Sequence, residues 1–356
     1  MTKLEYAQPP LTKPMSDWLA KLIWPVVALA LLLAYNLIVN PSFFRVQVLN
    51  GHLYGSLIDI LNRGSPVMLL SLGMTLVIAT GGVDLSVGAV MAIAGAAAAE
   101  MINRQTVGFP PLFHFVEIPV TFPLVIAVSL GVSLLAGMWN GALVAAFKIQ
   151  PIVATLILMV AGRGIAQLIT GGQYTSFTDA KLVYVGNGHF LGLPFPVTIV
   201  AVMFLITALL TRKTALGLFI ESVGDNEKAT YYAGISSRGV KFMAYTFTGF
   251  CAGLAGLIAA SNIKCADSNH AGLFLELDAI VAVVVGGTAL TGGRCYLLGS
   301  IIGALLMQTL TTTMYMADVS PYVMPVPKAL VIVAVCLIQS PVFRGQIVRV
   351  VKWRPA

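Results

Sequence analysis

One segment places an ionisable residue beside helix-breaking glycines between two apolar runs. It reads Thr80-Gly81-Gly82-Val83-Asp84-Leu85-Ser86, and no soluble loop fits between the flanking runs. Gly81 and Gly82 interrupt a helix, which leaves Asp84 near membrane depth, where ionisable groups are costly and usually functional. The segment predicts a gate or part of a substrate path, with Thr80, Gly81, Gly82, Asp84 and Ser86 as candidate residues. A cap made by Asp84 or Ser86 on the next helix is the alternative.

Three more charged residues stand inside or beside apolar runs. Glu276 and Asp278 open a run, where acids are favoured by the helix dipole or contact a receptor or incoming substrate from the outer side. Arg163 lies about halfway along another run. We expect Arg163 to face the bundle interior and to pair with an acid, Asp84, Glu100 or Glu276.

The longest loop between apolar runs covers residues 212–240. Gly224-Asp225 is a helix start signal and Gly234 a stop signal, which predicts a helix of about eight residues with charges early and tyrosines late. A helix this short is marginal unless it packs against something. It predicts docking into a cytoplasmic partner, with a surface connector as the alternative. The candidate contact residues are Glu221, Gly224, Asp225, Asn226, Glu227, Tyr231 and Gly234.

Several motifs of catalysis are missing from the sequence. There is no G-x-x-x-x-G-K-[ST] phosphate loop, no HExxH and no GxSxG, and the four cysteines form no metal or disulfide pattern. His52, His114, His189 and His270 fall in or near predicted outer loops, isolated from one another. We therefore expect no catalytic, cofactor-binding or metal-binding residues.

The composition indicates an integral membrane protein. Of the 356 residues, 58% are hydrophobic and 10% charged, whereas soluble domains carry about 25% charged residues. The mean hydropathy is +0.90. We expect a single transmembrane domain over 1–356, with a cytoplasmic N-terminal segment at 1–21 and a cytoplasmic tail at 342–356.

The apolar runs predict an all-α bundle of about ten membrane helices. Residues 53–63 predict a separate interfacial helix. The ten predicted spans are 22–40, 65–80, 86–101, 121–147, 152–170, 196–211, 241–260, 272–290, 296–314 and 327–341.

The basic residues predict the orientation of the bundle. With a cytoplasmic N-terminus, fourteen of the 21 Lys and Arg residues lie inside, six lie outside, and Arg163 lies within the membrane. This positive-inside bias predicts that both termini are cytoplasmic. The net charge of +7 therefore indicates no nucleic-acid partner.

A faint internal repeat connects two glycine-rich blocks. Residues 79–82 and Gly88 match residues 290–293 and Gly299 at a constant offset of 211. Each block joins two predicted spans, and transporters are often built from such repeats.

These segments resemble a known family. Residues 73–88, then Glu276-Leu277-Asp278-Ala279-Ile280, Gly286-Gly287 and Gly292-Gly293-Arg294 resemble the signature of ribose-type sugar permeases of ABC importers, over about residues 60–340. Residues 148–151, 154–164 and 269–273 are most similar to the galactofuranose importer permeases. Cys295 departs from the pattern, because many members have glycine after the arginine.

The resemblance implies a pore-forming subunit in the bacterial inner membrane that imports a monosaccharide, expected to be galactofuranose, by alternating access. It implies that residues 221–235 contact a partner ATPase, which binds ATP and Mg, and adds Gly286 and Gly287 to the gate candidates. It also implies a periplasmic sugar-binding protein and a second, different permease, although a homodimer stays open. The alternative is an ion-coupled secondary transporter of small polar solutes that uses Asp84.

Overall fold

The computed structural model describes residues 14–49, 51–104, 106–107 and 118–339. The predicted segment 1–21 is described only from residue 14, and the predicted tail 342–356 lies outside the described residues. Most of the described chain is helical, which confirms the all-α class. The helices are α1 Pro14–Val39, α2 Ser56–Ala79, α3 Val87–Asn103, α4 Phe122–Ala145, α5 Pro151–Thr170, α6 Ala180–Asn187, α7 Phe195–Lys213, α8 Ala215–Asp225, α9 Glu227–Tyr232, α10 Ser237–Ile263, α11 Leu275–Val285, α12 Leu297–Met316 and α13 Pro325–Gln339.

All ten predicted spans overlap one of these helices. Within the described residues, seven helices are long and apolar enough to cross a membrane: α1, α2, α4, α5, α7, α10 and α12. The other three predicted spans correspond to α3, α11 and α13, which are shorter. The chain is therefore a multi-pass membrane protein.

The separate interfacial helix predicted at 53–63 is wrong. Residues His52–Tyr54 form a strand, and α2 runs without a break from Ser56 to Ala79. The polar residues Asp59, Asn62 and Arg63 interrupt the apolar run without interrupting the helix.

The core of the bundle consists of α2, α3 and α10. Most residues of α2 are buried, and α10 packs against α2, α3 and α4. Glycines allow the closest approach, as small residues do between membrane helices. A Cβ on Gly249 of α10 would lie 2.7 Å from the Cα atom of Gly137 in α4, so only bare backbone fits there.

Eight short strands form four antiparallel pairs, all at the end of the bundle opposite α8. They pair backbone groups of the connections that the predicted orientation places outside. The pairs are β1 (Gln47–Leu49) with β2 (His52–Tyr54), β3 (Thr106–Val107) with β4 (Ile118–Pro119), β5 (Thr175–Ser176) with β8 (Cys265–Ala266), and β6 (His189–Phe190) with β7 (Leu193–Pro194). A short 3₁₀ helix, Pro41–Phe44, precedes β1.

Candidate functional site

Asp84 is the centre of a buried polar cluster between α2 and α3. Its Oδ1 atom accepts hydrogen bonds from the backbone N–H and the hydroxyl of Ser86 at 2.9 and 2.7 Å. Nδ2 of Asn140 in α4 donates to Ser86 Oγ at 2.7 Å and to the same Asp84 oxygen at 3.3 Å. Only 1% of Asp84 is exposed. Because Asn140 lies more than a turn before the end of α4, the cluster lies inside the bundle.

The rest of this segment is also fixed by its neighbours. Gly81 has a positive φ of 80°, and Gly82 packs against the ring hydroxyl of Tyr245 in α10. That hydroxyl donates to the carbonyl oxygen of Val83 at 3.2 Å, while the hydroxyl of Thr80 bonds back to its own helix. The alternative interpretation was that Asp84 or Ser86 caps α3. Asp84 accepts the backbone N–H of Ser86, the residue before α3, whereas the side chain of Ser86 makes no capping hydrogen bond to α3.

A second glycine-rich loop, residues 286–296, joins α11 to α12. Gly286 is in backbone contact with Gly299 of α12, and a Cβ there would overlap the Gly299 carbonyl group. Gly287 turns the chain with a φ of 98°. The backbone N–H of Tyr296 donates to Oγ1 of Thr288 at 3.2 Å, which closes the loop.

The two glycine-rich blocks related by the 211-residue offset touch each other. The N–H of Gly293 donates to the carbonyl oxygen of Ala79 at 3.0 Å. Gly292, at φ 88°, lies so close to Gly81 that an added Cβ would be 2.8 Å from the Gly81 nitrogen. The sequence analysis did not predict any contact between these two blocks, but in the structure they touch.

The predicted short helix is α9, but its start differs from the prediction. Gly224 and Asp225 end α8 rather than begin the next helix. Asn226 caps α9 by accepting the N–H of Ala229 at 3.0 Å, because an asparagine in extended conformation is a good N-cap. The helix has six residues, and Gly234 follows it at φ 84°.

The exposed surface of α9 is aromatic. Tyr231 is 69% exposed and Tyr232 is 85% exposed, and their rings meet edge to face with centroids 6.0 Å apart. On the other side, Glu227 pairs with Lys241 of α10 at 2.7 Å. Thr230 Oγ1 donates to the carbonyl oxygen of Ser222 at 2.8 Å, so α9 is attached to α8 and α10.

α8 contacts both glycine-rich loops. Oε1 of Glu221 accepts the N–H of Cys295 at 3.1 Å, and its other oxygen lies 3.9 Å from Arg294. Gly224 packs on the bond between Ala79 and Gly293, where a Cβ would overlap both groups. Two of the residues predicted for coupling, Glu221 and Gly224, therefore contact the end of α2 and the glycine-rich loop at 286–296.

Arg163 makes its hydrogen bonds to backbone rather than to an acid, although Glu276, one of the acids predicted to pair with it, attracts its charge. Its Nη1 atom donates to the carbonyl oxygens of Ala271 at 2.6 Å and Ser268 at 3.3 Å. These carbonyls belong to a non-helical stretch before α11, in which Gln167 of α5 also bonds Asn269 at 2.7 Å. Arg163 can bond these two carbonyl oxygens because the stretch leaves them free of helical bonds.

Glu276 and Asp278 both lie in the first turn of α11 but have different surroundings. Glu276 is 3% exposed and lies against Gly88 in the first turn of α3. Asp278 forms an ion pair with Lys328 of α13 at 2.7 Å, and both side chains are largely buried. The N-terminal ends of α3 and α11 thus meet within the bundle.

Two of the histidines predicted to be isolated are in contact. His52 of β2 and His189 of β6 stack with ring centroids 4.3 Å apart, and the N–H of Leu53 donates to the carbonyl oxygen of Gly192 at 3.0 Å. Burial, and then the neighbouring His52, lower the pKa of His189. Within the described residues, no group of three His, Cys, Asp or Glu side chains could hold a metal ion.

Sequence reasoning missed several residues of the site. Asn140 and Tyr245 hold the Asp84 segment, and Arg212 of α7 donates to the Cys295 carbonyl oxygen at 3.1 Å. A lone asparagine in an apolar run was an available signal, since polar groups at that depth need partners. Burial raises the pKa of the Cys295 thiol to about 12, so the thiol stays neutral. Cys295 contributes to the site through the hydrogen bonds of its backbone.

A multi-pass helical bundle with buried polar loops and an exposed short helix at one end fits the class of membrane transport proteins. Residues 56–338 match the family described as branched-chain amino acid transport system / permease component. The chain belongs to this family.

The curated relatives cover most of the chain. It is 51% identical to the galactofuranose transporter permease protein YtfT of Escherichia coli K12, over 89% of this chain and 90% of that protein. It is 37% identical to the fructose import permease protein FruF of Bifidobacterium longum, over 90% and 88%. It is also 37% identical to the ribose import permease protein RbsC of Haemophilus influenzae, over 87% and 90%. No solved structure matches the chain significantly.

Proposed function

We propose that this chain is the transmembrane subunit of an ATP-driven importer that moves galactofuranose into the cytoplasm by alternating access. The observation that carries the proposal is the 51% identity to a galactofuranose transporter permease over about nine-tenths of both chains. The fructose and ribose import permeases are more distant, at 37%, which favours galactofuranose among these sugars.

The arrangement of the site supports the docking of different partners at the two ends of the bundle. A partner ATPase, carrying ATP and Mg, docks on α9 from the cytoplasm. A periplasmic sugar-binding protein docks at the end that carries the strand pairs. Both termini are cytoplasmic in this orientation, the membrane is the bacterial inner membrane, and the 1–356 chain is one transmembrane domain with a coupling loop at 212–240. A second, different permease completes the pore.

Asp84 and the glycine-rich loops act as the gate in this proposal. Since Asp84 is buried, the sugar reaches it only when α3 separates from its neighbours. Glu276 and Asp278 belong to the entry side of the path in this proposal, and Glu276 is uncovered when α3 and α11 move apart. Binding within the path is weak, because a tight site would hold the sugar rather than release it.

The test is purification of the complex from its native membrane, followed by mass spectrometry and uptake into vesicles. We expect a co-purifying ATPase, a second permease, and galactofuranose uptake that needs ATP and a soluble receptor. Uptake that collapses with an uncoupler while ATP is maintained would overturn the ATP-driven mechanism. Uptake of ribose but not galactofuranose would overturn the substrate alone.

A further inference from the structure

The contact between α8 and the two glycine-rich loops has a feature that docking of α9 does not require. Gly293 and Ala79 are joined by one backbone hydrogen bond of 3.0 Å, and Gly224 of α8 lies directly on that bond. Three chain segments that are far apart in the sequence therefore meet through bare backbone. A movement of any one of them must displace the other two, since close-packed backbone leaves no gap to absorb it.

Glu221 fixes the position of α8 at this junction. One turn before Gly224, its carboxylate accepts the N–H of Cys295 at 3.1 Å. Arg212 of α7 donates a hydrogen bond to the carbonyl oxygen of Cys295 at 3.1 Å. The peptide groups on both sides of Cys295 are thus held by two neighbouring helices, and Cys295 is buried. The attraction of Glu221 to Arg294 is weaker, because the arginine is exposed and 3.9 Å away.

We propose that Glu221 and Gly224 are positioning residues that make α8 and the loops at 80–86 and 286–296 move as one unit. The inference rests on the proposed function, and it adds which residues carry the movement of the docked helix to the gate. Asp84 lies at the far end of one loop, and Gly299 of α12 packs against the start of the other. Displacement of α8 therefore reaches α3 and α12 together.

The substitutions separate this role from simple packing. Gly224→Ala adds a methyl group that overlaps Ala79 and Gly293, so it pushes the three segments apart. Gly239→Ala is the matched control, because Gly239 is a helical glycine at the same end of the bundle whose nearest atom to an added Cβ is Ser236 Oγ at 3.4 Å. Glu221→Ala removes the acceptor for the Cys295 N–H, whereas Glu221→Gln keeps an oxygen there.

The experiment uses the intact complex in proteoliposomes and measures galactofuranose moved per ATP hydrolysed. In Glu221→Ala and Gly224→Ala we expect the complex to assemble and hydrolyse ATP while sugar moved per ATP falls about tenfold, a size typical of coupling between sites. Glu221→Gln and Gly239→Ala should remain near wild type.

Unchanged sugar per ATP in both disruptive variants would overturn the inference, and so would an equal loss in Glu221→Gln and Glu221→Ala. If Gly224→Ala fails to assemble, the two Glu221 variants decide the question. A failure of the proposed function itself would be distinguishable, because the wild-type complex would then show no ATP-dependent uptake.

Discussion

Asp84 accepts hydrogen bonds from the N–H and hydroxyl of Ser86 and from Asn140. Asp84→Ala leaves these donors without that acceptor, and each unsatisfied buried polar group costs about 1–3 kcal/mol. We expect a lower midpoint of thermal unfolding in detergent and a loss of uptake. Asp84→Asn keeps an oxygen acceptor and should lose less stability. An Asp84→Ala variant as stable as the wild type would show that these bonds contribute nothing.

The His52–His189 stack predicts a pH dependence of stability. Because the pKa of His189 is lowered in the folded protein, the unfolded chain binds a proton more readily. Stability is therefore greatest above the ordinary histidine pKa of about 6.5, falls as the pH drops through it, and levels off below the folded pKa. Thermal unfolding between pH 7.5 and 5.5 measures this.

The control for the histidine prediction keeps the aromatic contact and removes the titrating group. His189→Phe should flatten the pH dependence, while His270→Gln, which changes a histidine that faces Asp267 instead, should retain the fall at low pH. A fall of equal size in His189→Phe would assign the pH dependence to other groups.

At the scale of elements, the Asp278–Lys328 pair attaches α13 to α11. Removing one partner of a buried pair leaves an uncompensated charge, which costs about 3–5 kcal/mol. We expect Lys328→Met to lower the thermal midpoint clearly, and the double variant Asp278→Asn, Lys328→Met to recover most of the loss. A double-mutant cycle measures the interaction, and additive effects of the two changes would contradict it.

The crossing of α4 and α10 makes a similar prediction from glycine alone. A Cβ at Gly137 would lie 2.6 Å from the carbonyl oxygen of Tyr245 and 3.0 Å from the Cα atom of Gly249. Overpacking of this kind costs about 1–3 kcal/mol, so Gly137→Ala should lower the thermal midpoint. Gly131→Ala on the same helix, where nothing lies within 4 Å of the added atom, should leave it unchanged or higher.

The helices of this protein could be predicted because the bilayer imposes a length on every apolar run. The start of α2 was missed, since Asp59, Asn62 and Arg63 make its first turns polar while neighbouring helices bury the rest. α11 is shorter than the predicted span 272–290 mainly because it ends at Val285. Gly286 packs against the backbone of Gly299 and Gly287 turns the chain with a φ of 98°.

The site was predicted in pieces and not as a whole. Glycines beside an acid marked residues 80–86, and glycines that delimit a charged stretch marked residues 221–234. Nothing local in the sequence shows that Ala79, Gly224 and Gly293 touch, because packing of the whole bundle decides their proximity. Arg163 was expected to bond a carboxylate, but free carbonyl oxygens satisfy a guanidinium as well.

At the scale of the whole molecule, the exposed tyrosines of α9 predict where the partner ATPase contacts this chain. Tyrosine is enriched among the residues that contribute most to protein interfaces. Tyr231→Ala with Tyr232→Ala should reduce the ATPase recovered with the purified chain by about tenfold, because losing one anchor costs roughly 1–2 kcal/mol. Mass spectrometry of the purified complex measures the ratio.

The matched control for the docking prediction is Tyr322→Ala. Tyr322 is 94% exposed and precedes α13 at the opposite end of the bundle, so its loss should leave recovery of the ATPase unchanged. Equal recovery in the α9 double variant and the wild type would place the ATPase contact elsewhere.

The burial of α2 has a consequence for how the chain is made. An 18-residue stretch of α2 has a mean hydropathy of 1.3, against 2.4 for Leu22–Val39 of the peripheral α1, and the first turns of α2 carry Asp59 and Arg63. Such a segment partitions into lipid less readily than α1 when it leaves the translocon alone, because it is less apolar and carries charged residues. The nascent chain is thus expected to keep α2 beside the translocon until later helices emerge and enclose it, so a ribosome stalled before α10 would leave the core of the protein incompletely inserted.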